Sequence, residues 1–283
     1  MSAIVAGCSD VNHRYVRKAV RLMDIFGIYA QGPEWNAAKQ AALEADPTSL
    51  EEAQQVVWDA GKVAGGKHTF VMTAGRVQKD DEAEWEMPSV EQLDGGILHI
   101  KLPPFSGNSS EGKKYALTVL DAINGAPRGV VVDLRGNRGG NMYPMIAAVH
   151  RFLPDDDILK FRTRRRTMTI NLDYVTLTAG VDRQPYISCP VAILTDEGTG
   201  SSGEATLLCF RGLDYTRSFG APTAGYASSN QSFALPDGAK LVLTIGDDIA
   251  RTGEEFCDDP IMPDVVTESP MEAALEWLQS FNK

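Results

Sequence analysis

Twice in this chain an unbroken apolar run stops in a glycine-rich turn and gives way to a helical pattern. The first is Gly129-Val130-Val131-Val132-Asp133, which leads into Leu134-Arg135-Gly136-Asn137-Arg138-Gly139-Gly140. The second is Val191-Ala192-Ile193-Leu194, which leads through Gly198-Thr199-Gly200 into Ser201-Ser202-Gly203-Glu204. A strand that is apolar at every position is buried on both faces, as in a parallel sheet with helices packed against it. Ile97 to Lys101 reads as another strand, and Glu111 to Ile123, Met142 to Phe152 and Glu204 to Phe210 as the helices between. This alternation predicts an α/β class of stacked strand-helix units around a mainly parallel sheet. Ligands of such sheets bind at the carboxyl ends of the strands, where both glycine-rich turns fall.

Before this region the pattern is helical. Val16, Ala19, Val20, Met23 and Phe26 recur at helical spacing, Trp35 to Ala45 follows, and Ser49 with Glu52 has the spacing of a capping box. An N-terminal helical bundle is expected over 1–70, ending in a loop that carries His68. Residues 71–95, acidic and without a clear period, read as a linker, and 96–283 as the α/β core. The 283 residues suffice for one large domain, or for a domain and a smaller one.

A net charge of −11 and a pI near 4.9 exclude nucleic acid as the main partner, because phosphate binding needs a concentrated basic face. One basic stretch stands out. In Lys160-Phe161-Arg162-Thr163-Arg164-Arg165-Arg166, strand alternation would gather Lys160, Arg162, Arg164 and Arg166 on one face, either solvated or holding a carboxylate. Cys8, Cys189, Cys209 and Cys257 form no pair at metal-ligand spacing, so neither a metal nor a cofactor is expected. No apolar run is long enough to span a bilayer. As written the chain reads as cytoplasmic. Val5-Ala6-Gly7-Cys8 looks like a lipoprotein cleavage box, however, and a start truncated there would place the protein in the cell envelope.

Ser201 and Ser202 stand where a helix begins, among free backbone N–H groups and at the positive end of the helix dipole. Either serine suits an N-cap. A hydroxyl there also suits attack on a carbonyl whose developing oxyanion has donors waiting. Gly139 and Gly140 can bring bare amides close to a ligand, with Asp133, Arg135 and Asn137 holding their loop. The turn lacks the pattern of a phosphate loop. Of the four histidines, His13, His99 and His150 have ready structural roles. His68 follows a glycine pair, Gly65-Gly66, and the backbone there can deliver its imidazole into a cleft as a base.

These stretches together resemble the C-terminal-processing, or tail-specific, serine peptidases. The His loop, D-L-R-G-N-R-G-G, T-G-S-S-G-E, G-A-P-T-A-G-Y at 220–226 and P-I-M-P-D at 260–264 follow the family's order over most of residues 12–270. The resemblance implies a ClpP/crotonase-like core. It makes Ser201 the nucleophile, Glu204 the matching acid, and Ser202 one oxyanion donor, with Gly139 or Gly140 as the other. Where the best-known branch has a lysine base, this chain has Tyr226, and a phenol with pKa near ~10 is a poor base at neutral pH. His68 fills that gap, as in the tricorn-like and bacteriocin-cleaving members. An acid to orient it is sought in Glu254, Glu255, Asp258 and Asp259, and Asp258 is chosen.

Many relatives insert a PDZ domain after the helical segment. Val71 to Gly95 is far too short for one. A serine peptidase acting on peptides or unfolded polypeptide is therefore expected, with oligomeric state left open. The alternative is a non-catalytic ligand- or peptide-binding module on the same core. A pure binding module has no need of a hydroxyl and a base in these two loops.

Overall fold

The computed structural model describes residues 2–82, 84–154 and 157–281. The chain forms two compact units. One comprises Met1–Glu82, Thr163–Arg166 and Ser228–Asp247; the other comprises Ala83–Arg162, Thr167–Ala227 and Asp248–Lys283. In chain order the elements begin with α1 (Ser2–Phe26), α2 (Gly32–Glu44), α3 (Leu50–Gly65), β1 (Phe70–Met72) and α4 (Ala74–Asp81). There follow β2 (Ser89–Leu93), β3 (Ile97–Lys101), α5 (Ser109–Leu120), β4 (Gly129–Asp133), α6 (Met142–Val149), β5 (Asp157–Thr163), β6 (Thr167–Asn171) and α7 (Leu172–Ala179). Next come β7 (Val191–Thr195), α8 (Ser202–Phe210), β8 (Thr216–Gly220), β9 (Ser228–Ala234), β10 (Lys240–Ile249), β11 (Glu255–Phe256), β12 (Val265–Val266) and α9 (Pro270–Ser280). Among the described residues no helix is long and apolar enough to cross a membrane. The side chains of the Val5-Ala6-Gly7-Cys8 box lie outside the described residues.

In the first unit four of the five residues of the helical stripe are buried as their spacing predicts, while Phe26, at the end of α1, is exposed and stacks on Phe233. Val16, Ala19, Val20 and Met23 of α1 are buried in one cluster with Ala53, Val57, Ala60 and Ala64 of α3. Ser49 caps α3 by accepting from the Glu52 N–H at 3.2 Å, an interaction worth about 1 kcal/mol. Leu241 and Leu243 of β10, with Leu235 and Ala239 of the preceding turn, complete this core. β10 pairs antiparallel with β9 on one side and β1 on the other. The turn between β9 and β10 closes by a 2.8 Å bond from the Leu235 N–H to the Ala239 carbonyl.

The domain boundaries expected from sequence shift accordingly. Residues 71–95 hold most of β1, all of α4 and β2, and so are structured rather than a plain linker. Within 96–283, the stretch Ser228–Asp247 belongs to the first unit, because its apolar face is buried among helices α1 and α3.

The basic stretch is also corrected. β5 ends at Thr163, whose N–H donates to the Arg166 carbonyl at 2.9 Å, so residues 164–166 form a turn. Arg164 donates to the carbonyls of Asp24 at 2.6 Å and of Ala30 at 2.5 Å. Arg162 pairs instead with Glu255. A single four-residue basic face for an anion does not form.

The second unit is built on a sheet of order β12-β8-β7-β4-β3-β2, parallel throughout except for the β2–β3 pair. Its central strands are covered on both faces. Val130, Val132, Val191 and Ile193 join the larger cluster with residues of α5, α6 and α8, while Val131, Ala192 and Leu194 join the cluster of α9. That double burial is why β4 and β7 are apolar at successive positions, each such side chain contributing about 1.5–3 kcal/mol of transfer free energy. The parallel order brings the ends of β4 and β7 side by side, and both glycine-rich turns leave from there.

Candidate active site

The two turns interlock through one carboxylate and two bonds to backbone carbonyls. Asp196 Oδ1, just past β7, accepts from the N–H groups of Gly198 and of Gly136, each at 2.9 Å. Gly200 N–H donates to the Asn137 carbonyl at 2.9 Å, and Thr199 Oγ1 to the Leu134 carbonyl at 2.9 Å. Beneath them, Asp133 binds the Arg135 guanidinium through both oxygens, at 2.8 and 2.6 Å. Burial alone would raise the Asp133 carboxyl, but its bonds from Arg135 and His99 outweigh that and hold it well below the usual carboxylate range.

Ser201 is held at this corner with φ +52° and ψ −117°, and among the described residues it is the only non-glycine with positive φ. This is the strained strand-to-helix turn that projects a side chain from the end of a sheet. The Ser201 N–H donates to Glu204 Oε2 at 2.8 Å. Glu204 is fully buried, and its carboxylate also accepts from the Thr223 hydroxyl, from Gly225 N–H at 2.9 Å and from Tyr226 N–H at 2.8 Å. Burial pushes this carboxyl above the usual range, against the pull of those four donors. One side chain therefore ties the Ser201 backbone to the Thr223-Ala224-Gly225-Tyr226 turn.

Gly139 and Gly140 differ. Gly139 has φ +97° and packs so tightly that a Cβ there would fall 2.7 Å from Ser201 Cβ. Its N–H is used by Asn137 Oδ1 at 2.9 Å. Gly140 has φ +120°, and a Cβ there would fall 2.0 Å from the Phe105 carbonyl oxygen. Its carbonyl accepts from Ser202 Oγ at 2.7 Å, while its N–H donates to no acceptor among the described residues. The same holds for the N–H of Ser202, the first residue of α8.

His68 lies in the first unit. α3 stops there because Gly66 turns with φ +72° and because a Cβ on Gly65 would lie 2.1 Å from Thr69 Oγ1. The backbone of the His loop is clamped on both sides. Lys62 Nζ donates to the carbonyls of Lys67 at 3.0 Å and Thr69 at 2.9 Å, and Asn230 Nδ2 to the His68 carbonyl at 3.1 Å. His68 is only 9% exposed, and its Nδ1 lies 2.8 Å from Ser228 Oγ. Burial, reinforced by the charges of Lys67 and Lys62, pushes its pKa down to about 4.

Ser201, Ser202, Glu204, Gly139 and Gly140 thus come together in one corner of the second unit. Asp258 lies in that unit too, in the loop whose Asp258 carbonyl would sit 2.8 Å from a Cβ on Gly225. Ser228 was not legible in the sequence. It is 160 residues from His68 and stands in a polar run, Ser228-Ser229-Asn230-Gln231-Ser232, that matches no motif.

A parallel-sheet core with this corner defines a serine-type peptidase. The chain belongs to peptidase family S41, whose family model matches residues 96–267. A nisin-resistance protein of Lactococcus lactis subsp. lactis is 32% identical over 277 residues, covering 94% of this chain and 87% of that protein. A carboxyl-terminal-processing protease of Synechocystis is 28% identical over 192 residues, covering 65% of this chain but 42% of that longer protein. Among solved structures, a lipoprotein from Streptococcus agalactiae superposes with a TM-score of 0.87 at 31% identity, covering 95% of this chain and 96% of that one. The photosystem II D1 C-terminal processing protease shares the fold, with a TM-score of 0.61 at 12% identity over 90% of this chain and 93% of that one.

Proposed function

We propose that this peptidase cleaves peptides through an acyl-enzyme on Ser201, with His68 as general base. The observation that carries the reading is the Ser201 corner: a strained hydroxyl-bearing residue beside two amides that have no acceptor among the described residues. His68 Nε2 takes the proton as Ser201 Oγ bonds to the carbonyl carbon, and the electron pair of the C=O moves onto oxygen. The amides of Gly140 and Ser202 receive that oxyanion. Gly140 is the donor in this reading because the Gly139 amide is already engaged by Asn137. The imidazolium then gives its proton to the leaving amine as the C–N bond breaks, and water repeats the sequence to release the acid. Glu204 acts by position, holding the Ser201 backbone. Because the similar L. lactis protein is named for nisin resistance, nisin is the first substrate to test.

Ser201→Ala abolishes nisin cleavage and labelling by a fluorophosphonate probe, whereas Ser202→Ala keeps its amide and retains substantial activity. His68→Ala costs several powers of ten, on the order of 10³ or more. Mass spectrometry of the labelled peptide locates the nucleophile. A label on Ser202, or the reverse pattern in the two mutants, moves the assignment by one residue, and an active His68→Ala removes His68 as the base.

A further inference from the structure

The base in this reading has a partner that the family resemblance did not supply. We infer that Ser228, through its hydroxyl, is the positioning residue that holds the His68 imidazole in the orientation needed to accept the proton of Ser201. The inference rests on the Ser201–His68 reading above.

Ser228 Oγ lies 2.8 Å from His68 Nδ1, and both residues are at least nine-tenths buried, at 5% and 9% exposure. Ser228 is the first residue of β9, opposite Asp247 of β10, so its backbone is fixed by a sheet rather than carried on a loop. Asn230, two residues along β9, donates to the His68 carbonyl at 3.1 Å. One strand therefore grips both the backbone and the ring of the same histidine. Thr69, the next residue, is locked to β10 by its Oγ1, which accepts from the Thr244 N–H at 3.0 Å.

A neutral imidazole carries one ring proton. If it sits on Nδ1, the Ser228 oxygen accepts it and Nε2 carries the lone pair that takes a proton; if it sits on Nε2, the ring cannot act as a base there. A hydroxyl at Nδ1 accepts in the first arrangement and donates in the second, so it holds the plane of the ring in either, and it contributes no negative charge. That distinguishes it from the acid sought in the sequence, because a carboxylate at this position would also stabilise the imidazolium and raise its pKa. The charged groups acting on the ring from its own loop and from α3 are Lys67 and Lys62, both cations, and they favour the neutral form as burial does. Ser228 therefore orients a base that stays unprotonated through the neutral range.

The test is the second-order rate of fluorophosphonate labelling of Ser201 as a function of pH, in the full chain, for wild type and four variants. Ser228→Ala lowers the plateau rate about tenfold, the size of effect expected from one lost hydrogen bond in the transition state. Ser228→Thr, which keeps the hydroxyl, restores most of it. Ser228→Asp moves the acid limb up by about one unit or more, since a carboxylate beside the ring favours its charged form. His68→Ala serves as the control for the underlying reading. If His68→Ala is inert while Ser228→Ala labels at the wild-type rate, Ser228 does not position the base and the inference falls alone. If His68→Ala labels normally, or wild type does not label at all, the base assignment falls first and takes this inference with it. A limb that stays in place in Ser228→Asp, confirmed as folded by circular dichroism, overturns the claim that the residue acts on the ring.

Discussion

The Ser201 corner and the His loop solve the same problem, holding one side chain still, with opposite chemistry. At the corner a fully buried carboxylate, Glu204, collects four donors and fixes Ser201 from below. At the His loop the holders are a lysine that reaches carbonyls, an asparagine amide and a neutral hydroxyl. The electrostatic result differs in direction: burial raises the Glu204 carboxyl, and burial with Lys67 and Lys62 lowers the His68 imidazole. A corner made this way depends on one buried side chain. A loop made this way keeps its histidine neutral.

The largest effect should separate the two by stability. Glu204→Ala removes one side chain and strands four donors in a buried site, so urea unfolding at neutral pH should lose about 3–5 kcal/mol. Ser228→Ala, at the other site, should lose no more than about 1 kcal/mol. Equal losses would break the contrast between a corner hung on one buried side chain and a loop held by several.

A smaller effect follows from pH. His68 has a folded pKa lowered to about 4 by burial and by Lys67 and Lys62. The sign is that of a base disfavoured as a cation. Above about pH 6.5 both folded and unfolded chains hold it neutral and its full contribution is present. Between that value and the folded pKa the unfolded chain takes up a proton that the folded chain refuses, and up to about 3 kcal/mol is lost. Unfolding curves at several pH values, compared between wild type and His68→Gln, isolate this part. With His68 as the proposed base, the same shift moves the acid limb of activity below the interval of about pH 5.5–7.5 that an ordinary imidazole sets, toward about 4. A limb near pH 6.5 would mean that the ring is more solvated, or nearer an anion, than its burial and its lysines imply.

The corner was legible in the sequence because it is local. An apolar run, a glycine cluster, two serines and Glu204 lie within fifteen residues of chain, and each has a conformational reason to be there. The same locality made the interlocking turn after β4 readable, down to Asn137 as its brace. What the sequence left open, Gly139 or Gly140, depends on which amide a neighbouring side chain has already taken, and only packing decides that. The His loop was half legible. Gly65-Gly66 announced the turn, but Ser228 reaches His68 through a strand pairing with no signature at the distant end. The unit to which β9 and β10 belong was missed for the same reason, although Pro236-Asp237-Gly238 between two strand-like runs is a hairpin signal in its own right. The basic stretch misled because alternation was carried past Thr163, where the chain turns.

With Ser201 as the proposed nucleophile, its torsion sets folding and hydrolysis against each other. A φ of +52° with a ψ of −117° suits glycine and strains every other residue. Ser201→Gly should therefore be catalytically dead and yet more heat-resistant, by roughly 0.5–1 kcal/mol once the extra freedom of glycine in the unfolded chain is subtracted. Thermal unfolding of the two proteins side by side measures it, and a less stable Ser201→Gly would mean that the torsion carries no strain. A screen for thermostable variants that ignored turnover would drift to glycine at this position and discard the enzyme while improving the protein.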